Sequence, residues 1–236
     1  MPKGKFFCFS PPVMLATFIF EIGAAIYILW RYRIGRTTRL VILILLLLAT
    51  FQFAEYMVCE RFGLNSVQWA RVGYAAITLL PPLGLHLVQR LGGSKARWPA
   101  YSGYVVALPF LIFFLFAHSP FGGQECLGNY VIFQIPRWVS WGYAAYYYGL
   151  LAIAVWYAWR FAARTTSTKQ RVAMHTFAVG YMAFIIPTAA VAMLQPDTLR
   201  GIPSIMCGFA VLLAVALTFG VVPLIDKVKR KRDNTD

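Results

Sequence analysis

Two carboxylates lie inside apolar runs of this chain: Glu21 midway along 12–31 and Glu55 late in 39–59. An ionisable side chain at the centre of a hydrocarbon layer costs roughly 3 kcal/mol or more, so such residues carry ion, proton or ligand chemistry, or pair across helices. At helical spacing Thr17, Glu21 and Ala25 share one face, and Gln52, Glu55 and Cys59 share another, while Leu45 to Leu48 leave the other half of that run uniformly apolar. At the start of the next run Arg71, Tyr74 and Thr78 fall together, with Arg71 at a depth to pair with Glu55. Glu21, Gln52, Glu55, Arg71, Tyr74 and Thr78 are therefore the candidate ligand-binding set of a polar cavity opening outward. The alternative is an ion pair or interhelical hydrogen bond that only positions helices.

A second constellation is aromatic. In the run 138–161, Trp138, Trp141 and Tyr148 lie toward one face around the small Ala145, with Tyr143, Tyr146, Tyr147, Trp156, Tyr157 and Trp159 around them. Trp138, Trp141, Trp156 and Trp159 suit belts at the two membrane surfaces. The deeper Tyr146, Tyr147 and Tyr148 need partners for their hydroxyls, and Tyr148 joins the candidate ligand-binding residues. His86 and His175 fall near helix ends, where they could ligate haem or a metal or simply hydrogen-bond; without further ligands no metal site or cofactor is expected. Cys59 and Cys126 could form a disulfide over the bundle, or remain thiols.

Other chemistries lack their residues. A retinal Schiff base needs a lysine in the last apolar run, and 202–225 has none. No H-E-x-x-H, G-x-S-x-G, C-x-x-C or phosphate-cradling glycine loop occurs. The pair Glu55 and Glu60 has no neighbouring histidine of the kind an intramembrane hydrolase uses, so an enzyme is not expected.

The elements that must position these residues are membrane spans. The chain is 60% hydrophobic and 13% charged, against roughly 25% charged in soluble domains. A span needs about 20 apolar residues, and seven stretches supply them: 12–31, 39–59, 71–92, 99–118, 138–161, 171–194 and 202–225, followed by a basic tail, 226–236. Backbone in lipid must satisfy itself, so the expected class is an all-α membrane protein, a seven-transmembrane-helix bundle occupying 1–225. Pro81, Pro82, Pro109 and Pro187 should kink or locally unwind their helices.

Basic residues set the orientation. Arg31, Arg33, Arg36 and Arg39, then Arg90, Lys95 and Arg97, then Arg160, Arg164, Lys169 and Arg171 occupy alternate connections, joined by the tail from Lys227 to Arg232. The reading is N-terminus out and C-terminus in, in a cell (inner) membrane, against the pull of Lys3 and Lys5 and without a cleaved leader. The net charge of +14 is spread between apolar runs, which favours anionic lipid at the cytoplasmic loops over nucleic acid.

Ala54, Glu55 and Tyr56, then Trp69, Ala70, Arg71, Val72, Gly73 and Tyr74 running into Leu80, Pro81, Pro82 and Leu83, and closing on Gln89, Arg90, Leu91 and Gly92, resemble the seven-transmembrane N-terminal sensor region of bacterial histidine kinases. Val221, Val222, Pro223 and Leu224 extend the likeness over nearly the whole chain. The resemblance implies a receptor-like sensor module that takes a small apolar or amphipathic ligand, or the state of the membrane, as input and signals to a cytoplasmic or membrane partner. Residues 226–236 carry no dimerisation helix, phosphoacceptor histidine or ATP-binding domain. The output would then belong to a separate signalling protein, or to a domain removed from this chain. A small proton-coupled transporter or permease using Glu21 and Glu55 is the alternative.

Overall fold

The computed structural model describes residues 11–60, 63–94, 96, 98–118, 120–126, 131–194 and 202–225. Expectations for Cys8, Arg61, Lys95, Arg97 and the tail 226–236, and for the side chains of Cys126 and Cys207, lie outside what it describes.

Seven helices are described, in chain order: α1 (Pro11–Arg31), α2 (Arg36–Glu60), α3 (Ser66–Leu91), α4 (Trp98–Phe116), α5 (Arg137–Arg164), α6 (Thr168–Leu194) and α7 (Ile202–Val215). Five of them, α1, α2, α3, α4 and α6, are long and apolar enough to cross a membrane. The tryptophans and tyrosines of α5 lower its mean hydropathy, and the described apolar stretch of the last helix, Phe209–Ile225, is shorter.

Local chemistry sets the ends. Helix α3 begins at Ser66, five residues before the apolar run does, because Asn65 and Gln68 form a capping box. The Gln68 N–H donates to Asn65 Oδ1 at 2.8 Å, and the Asn65 N–H to Gln68 Oε1 at 3.2 Å. At its other end the Gly92 N–H reaches the Val88 carbonyl and Gly93 adopts φ +64°, a conformation that favours glycine. The expectation of unwinding at the prolines is corrected: α3, α4 and α6 are each continuous helix through Pro81 and Pro82, Pro109 and Pro187. The irregular helical turn is elsewhere, a π-helical segment at Ala216–Val221 that follows α7.

Helix α3 is the hub. It packs on α2, α4, α5 and α6, whereas α1 lies against α2 and α7 and α4 mainly against α3. Burial follows: 78% of the apolar window of α3 is enclosed by protein, against 33% for α1 and 28% for α4, so α1 and α4 leave most of their apolar surface on the outside of the bundle. Outside the helices the connection after α4 is not all loop, because β1 (Gly123–Cys126) and β2 (Val131–Gln134) pair antiparallel with Gln124 opposite Phe133. Four-residue strands with no clear alternation give too short a pattern to see.

Glycine sets how closely the helices approach. A Cβ at Gly84 of α3 would lie 1.8 Å from the hydroxyl of Tyr181 on α6, a fully buried ring. A Cβ at Gly149 of α5 would meet nothing within 4 Å. Gly84→Ala should therefore destabilise the purified protein by about 1–3 kcal/mol through overpacking, while Gly149→Ala leaves its melting temperature unchanged or higher. Equal melting curves for the two variants would contradict this contact.

Candidate functional site

Consecutive prolines remove two amide donors from the middle of α3, and those donors would have reached the carbonyls of Ile77 and Thr78. Inside a membrane a bare carbonyl has no water to turn to. Helix α5 supplies the missing donor at one of them: the Tyr146 hydroxyl donates to the Thr78 carbonyl at 2.5 Å. Thr78 is itself fully buried, and its hydroxyl donates back to the Tyr74 carbonyl at 2.6 Å. With its one proton committed, the Thr78 oxygen accepts from Tyr143 at 3.1 Å. One polar lock thus ties the proline-bearing turn of α3 to two tyrosines one helical turn apart on α5.

An aromatic cluster surrounds the lock. The Tyr74 ring, 1% exposed, lies 4.7 Å from Phe114, 5.1 Å from Phe121, 5.2 Å from Phe133 and 6.0 Å from Tyr143, measured between centroids. Phe121 comes from the connection after α4 and Phe133 from β2, so the segment between α4 and α5 seats two rings directly on Tyr74. The cavity expected to open outward at Tyr74 and Thr78 is covered.

Arg71 is corrected too. Its guanidinium donates to the carbonyls of Phe114 at 3.4 Å, of Leu115, and of Ala117 at 2.7 Å, the last carbonyls of α4. A cation at a helix C-terminus satisfies orphan carbonyls and opposes the negative end of the helix dipole. The described hydrogen bonds of Arg71 all go to the end of α4 and to Ala117 just past it, and none goes to Glu55. Arg171 acts alike one connection later, donating to the Ala162 carbonyl at 3.2 Å and the Thr165 carbonyl at 2.9 Å beyond α5.

The acidic pair remains inside. Glu21 on α1 is fully buried, and neither carboxyl oxygen has a hydrogen-bond partner among the described residues. On α2, Gln52 is 2% and Glu55 1% exposed, and the Gln52 amide nitrogen has no partner among the described residues. Helices α1 and α2 pack along their length, with Phe18 and Phe53 at 5.1 Å. Most buried polar atoms are satisfied, so each exception calls for an explanation.

Tyr148 does not join them. It is half-buried on the side of α5 that carries the exposed Trp138, Trp141 and Ala145, whereas Tyr143, Tyr146 and Tyr147 face the interior. Two small cavities are described, about 10 Å³ among Ile44, Leu80, Tyr147 and Tyr181 and about 20 Å³ beside His86 and Gln89. Neither is lined by Glu21, Gln52, Glu55, Arg71, Tyr74, Thr78 or Tyr148, and drug-sized ligands occupy roughly 300 Å³ or more. His86 stands 3.3 Å from the Tyr104 hydroxyl and accepts from Arg90 at 3.4 Å, while His175 is exposed. Cys59 is disulfide-bonded; β1, which ends in Cys126, packs against α2.

Sequence reasoning missed the lock, although its signal was present. A proline frees the carbonyl four residues back, Pro82 points to Thr78, and a buried tyrosine needs an acceptor. No protein-family model matches this chain, and neither curated proteins nor solved structures give a match.

Tyr146→Phe should cost about 1–3 kcal/mol, because it strands the Thr78 carbonyl. In a Pro82→Ala background the restored amide takes that carbonyl, and the Tyr146→Phe penalty should fall below about 1 kcal/mol. Equal penalties in both backgrounds, measured by thermal unfolding in detergent, would refute the lock. Peptide mapping without reduction should recover Cys59 crosslinked to Cys126; another partner for Cys59 would overturn that pairing.

Proposed function

We propose that this chain is a receptor-like seven-helix membrane sensor module, N-terminus out and C-terminus in, whose input is the state of the bilayer or a small amphipathic molecule entering from it. The observation that carries this reading is the polar layer inside the bundle. A carboxyl without a hydrogen-bond partner among the described residues, an amide nitrogen in the same condition and a continuous helix whose two prolines leave a carbonyl for a tyrosine to meet are costly features for a bundle that only needs to be stable. A packing with unsatisfied polar atoms lies close in energy to alternative packings, which is what a two-state transmitter requires.

The output goes to a separate cytoplasmic or membrane protein, and the basic connections and tail contact anionic lipid. The resemblance to histidine-kinase sensor regions points the same way. A second reading, a proton-coupled transporter, draws on one observation, the buried carboxyl of Glu21.

One experiment separates the two. Spin labels at the exposed positions Arg36 and Arg164, with protein reconstituted in bilayers of short and long acyl chains, report two distance populations whose ratio changes with bilayer thickness and again in Glu21→Gln. Vesicles of the same preparation carry an internal pH dye. A single unchanging distance, together with proton uptake that Glu21→Gln abolishes, would replace the sensor by the transporter.

A further inference from the structure

The end of α3 and the first turn of α4 form a cleft lined by His86, Gln89, Arg90, Ser94, Ala100 and Tyr101. Its chemistry is one-sided. Gln89 is 4% exposed, and its amide nitrogen has no hydrogen-bond partner among the described residues although the side chain lines the cleft. Arg90 uses its Nε to donate to His86 at 3.4 Å, which orients the guanidinium. Ala100 and Tyr101 belong to the first turn of α4, whose N–H groups have no acceptor within the helix.

Acceptors, by contrast, are already used. The last carbonyls of α3 are taken at Val88 by the Gly92 N–H, at Gln89 by the Ser94 N–H, at Arg90 by the Gly93 N–H and at Leu91 by the Gln170 amide. No carboxylate lines the cleft. A site with a cation, an unused buried amide donor and a helix N-terminus, and with its carbonyls occupied, matches an oxyanion.

We infer that this cleft binds the phosphate of an anionic lipid headgroup. Its position selects the lipid over a free ion. Trp98 and Tyr101, 70% and 56% exposed, flank it at the end of the apolar run, and such rings sit at headgroup depth. The cleft holds about 20 Å³, room for a phosphate oxygen at the Gln89 amide, with the rest of the headgroup at the mouth beside Arg90. The site deepens the lipid contact proposed above from general attraction to one built position, and it rests on the membrane reading alone.

Native mass spectrometry of the intact protein in mild detergent, titrated with phosphatidylglycerol, phosphatidylcholine or inorganic phosphate, tests it. Phosphatidylglycerol should bind in preference to phosphatidylcholine. Gln89→Glu and Arg90→Gln should each weaken that binding about tenfold, while Arg33→Gln, an exposed arginine of another connection, changes it less than about twofold. If Gln89→Glu is not monodisperse, Gln89→Met removes the same donor without adding charge. Unchanged phosphatidylglycerol affinity in the Gln89 and Arg90 variants, or an equal loss in Arg33→Gln, overturns the site. Displacement of the lipid by equimolar inorganic phosphate overturns the lipid assignment in favour of the free anion. Failure of the unaltered protein to remain in carbonate-washed membranes would instead overturn the membrane reading.

Discussion

Two prolines in succession at the centre of the most buried helix set the terms for this bundle. Helix α3 touches α2, α4, α5 and α6, so a defect in its hydrogen-bond ladder cannot be passed to water and must be met by a neighbour. Tyr146 meets it at Thr78, Tyr143 holds the Thr78 hydroxyl, and the Tyr74 ring one turn away gathers Phe114, Phe121 and Phe133. Helix α5 is consequently tyrosine-rich on its inner side and tryptophan-bearing outside. The hairpin between α4 and α5 acts as a lid for the same aromatic cluster. One backbone constraint thereby explains the composition of a second helix and the placement of a connection.

Arginines show a related economy. Arg71 and Arg171 both close helix C-termini, those of α4 and α5. By sequence alone Arg71 belonged with Glu55 because both occupy similar depth on consecutive runs, yet charge and depth do not reveal that the α4 carbonyls end beside it. The approach of α3 to the end of α4 is a tertiary fact, fixed by packing around Phe114 and Tyr74.

The helices themselves were legible because apolar runs of about 20 residues have few alternatives in lipid. With the π-helical segment and residues 222–225 counted with α7, the starts and ends of the helices lie within a few residues of the apolar runs, the largest shift coming at Ser66, where the Asn65 and Gln68 cap extends α3 beyond its apolar pattern. Burial of Glu21, Gln52, Glu55, Tyr74 and Thr78 could be read from their helical faces, since polar residues in apolar runs turn toward protein. The covering of Tyr74 could not, because it depends on Phe121 and Phe133, which reach that ring from the connection between α4 and α5. The interior position expected for Tyr148 is held by Tyr143, Tyr146 and Tyr147, and a face assignment one or two residues off on a helix aromatic all round is the reason.

A sensor of membrane state needs a bundle that both spans the bilayer and exposes its two ends to different compartments. Single cysteines at Leu64 and Arg137 for one end and at Arg39 and Thr166 for the other, in a variant lacking the native cysteines, provide the direct measurement with a membrane-impermeant maleimide. The account predicts that in intact cells Leu64→Cys and Arg137→Cys react from outside, while Arg39→Cys and Thr166→Cys react only after the membrane is opened. Labelling of all four from one side would contradict it.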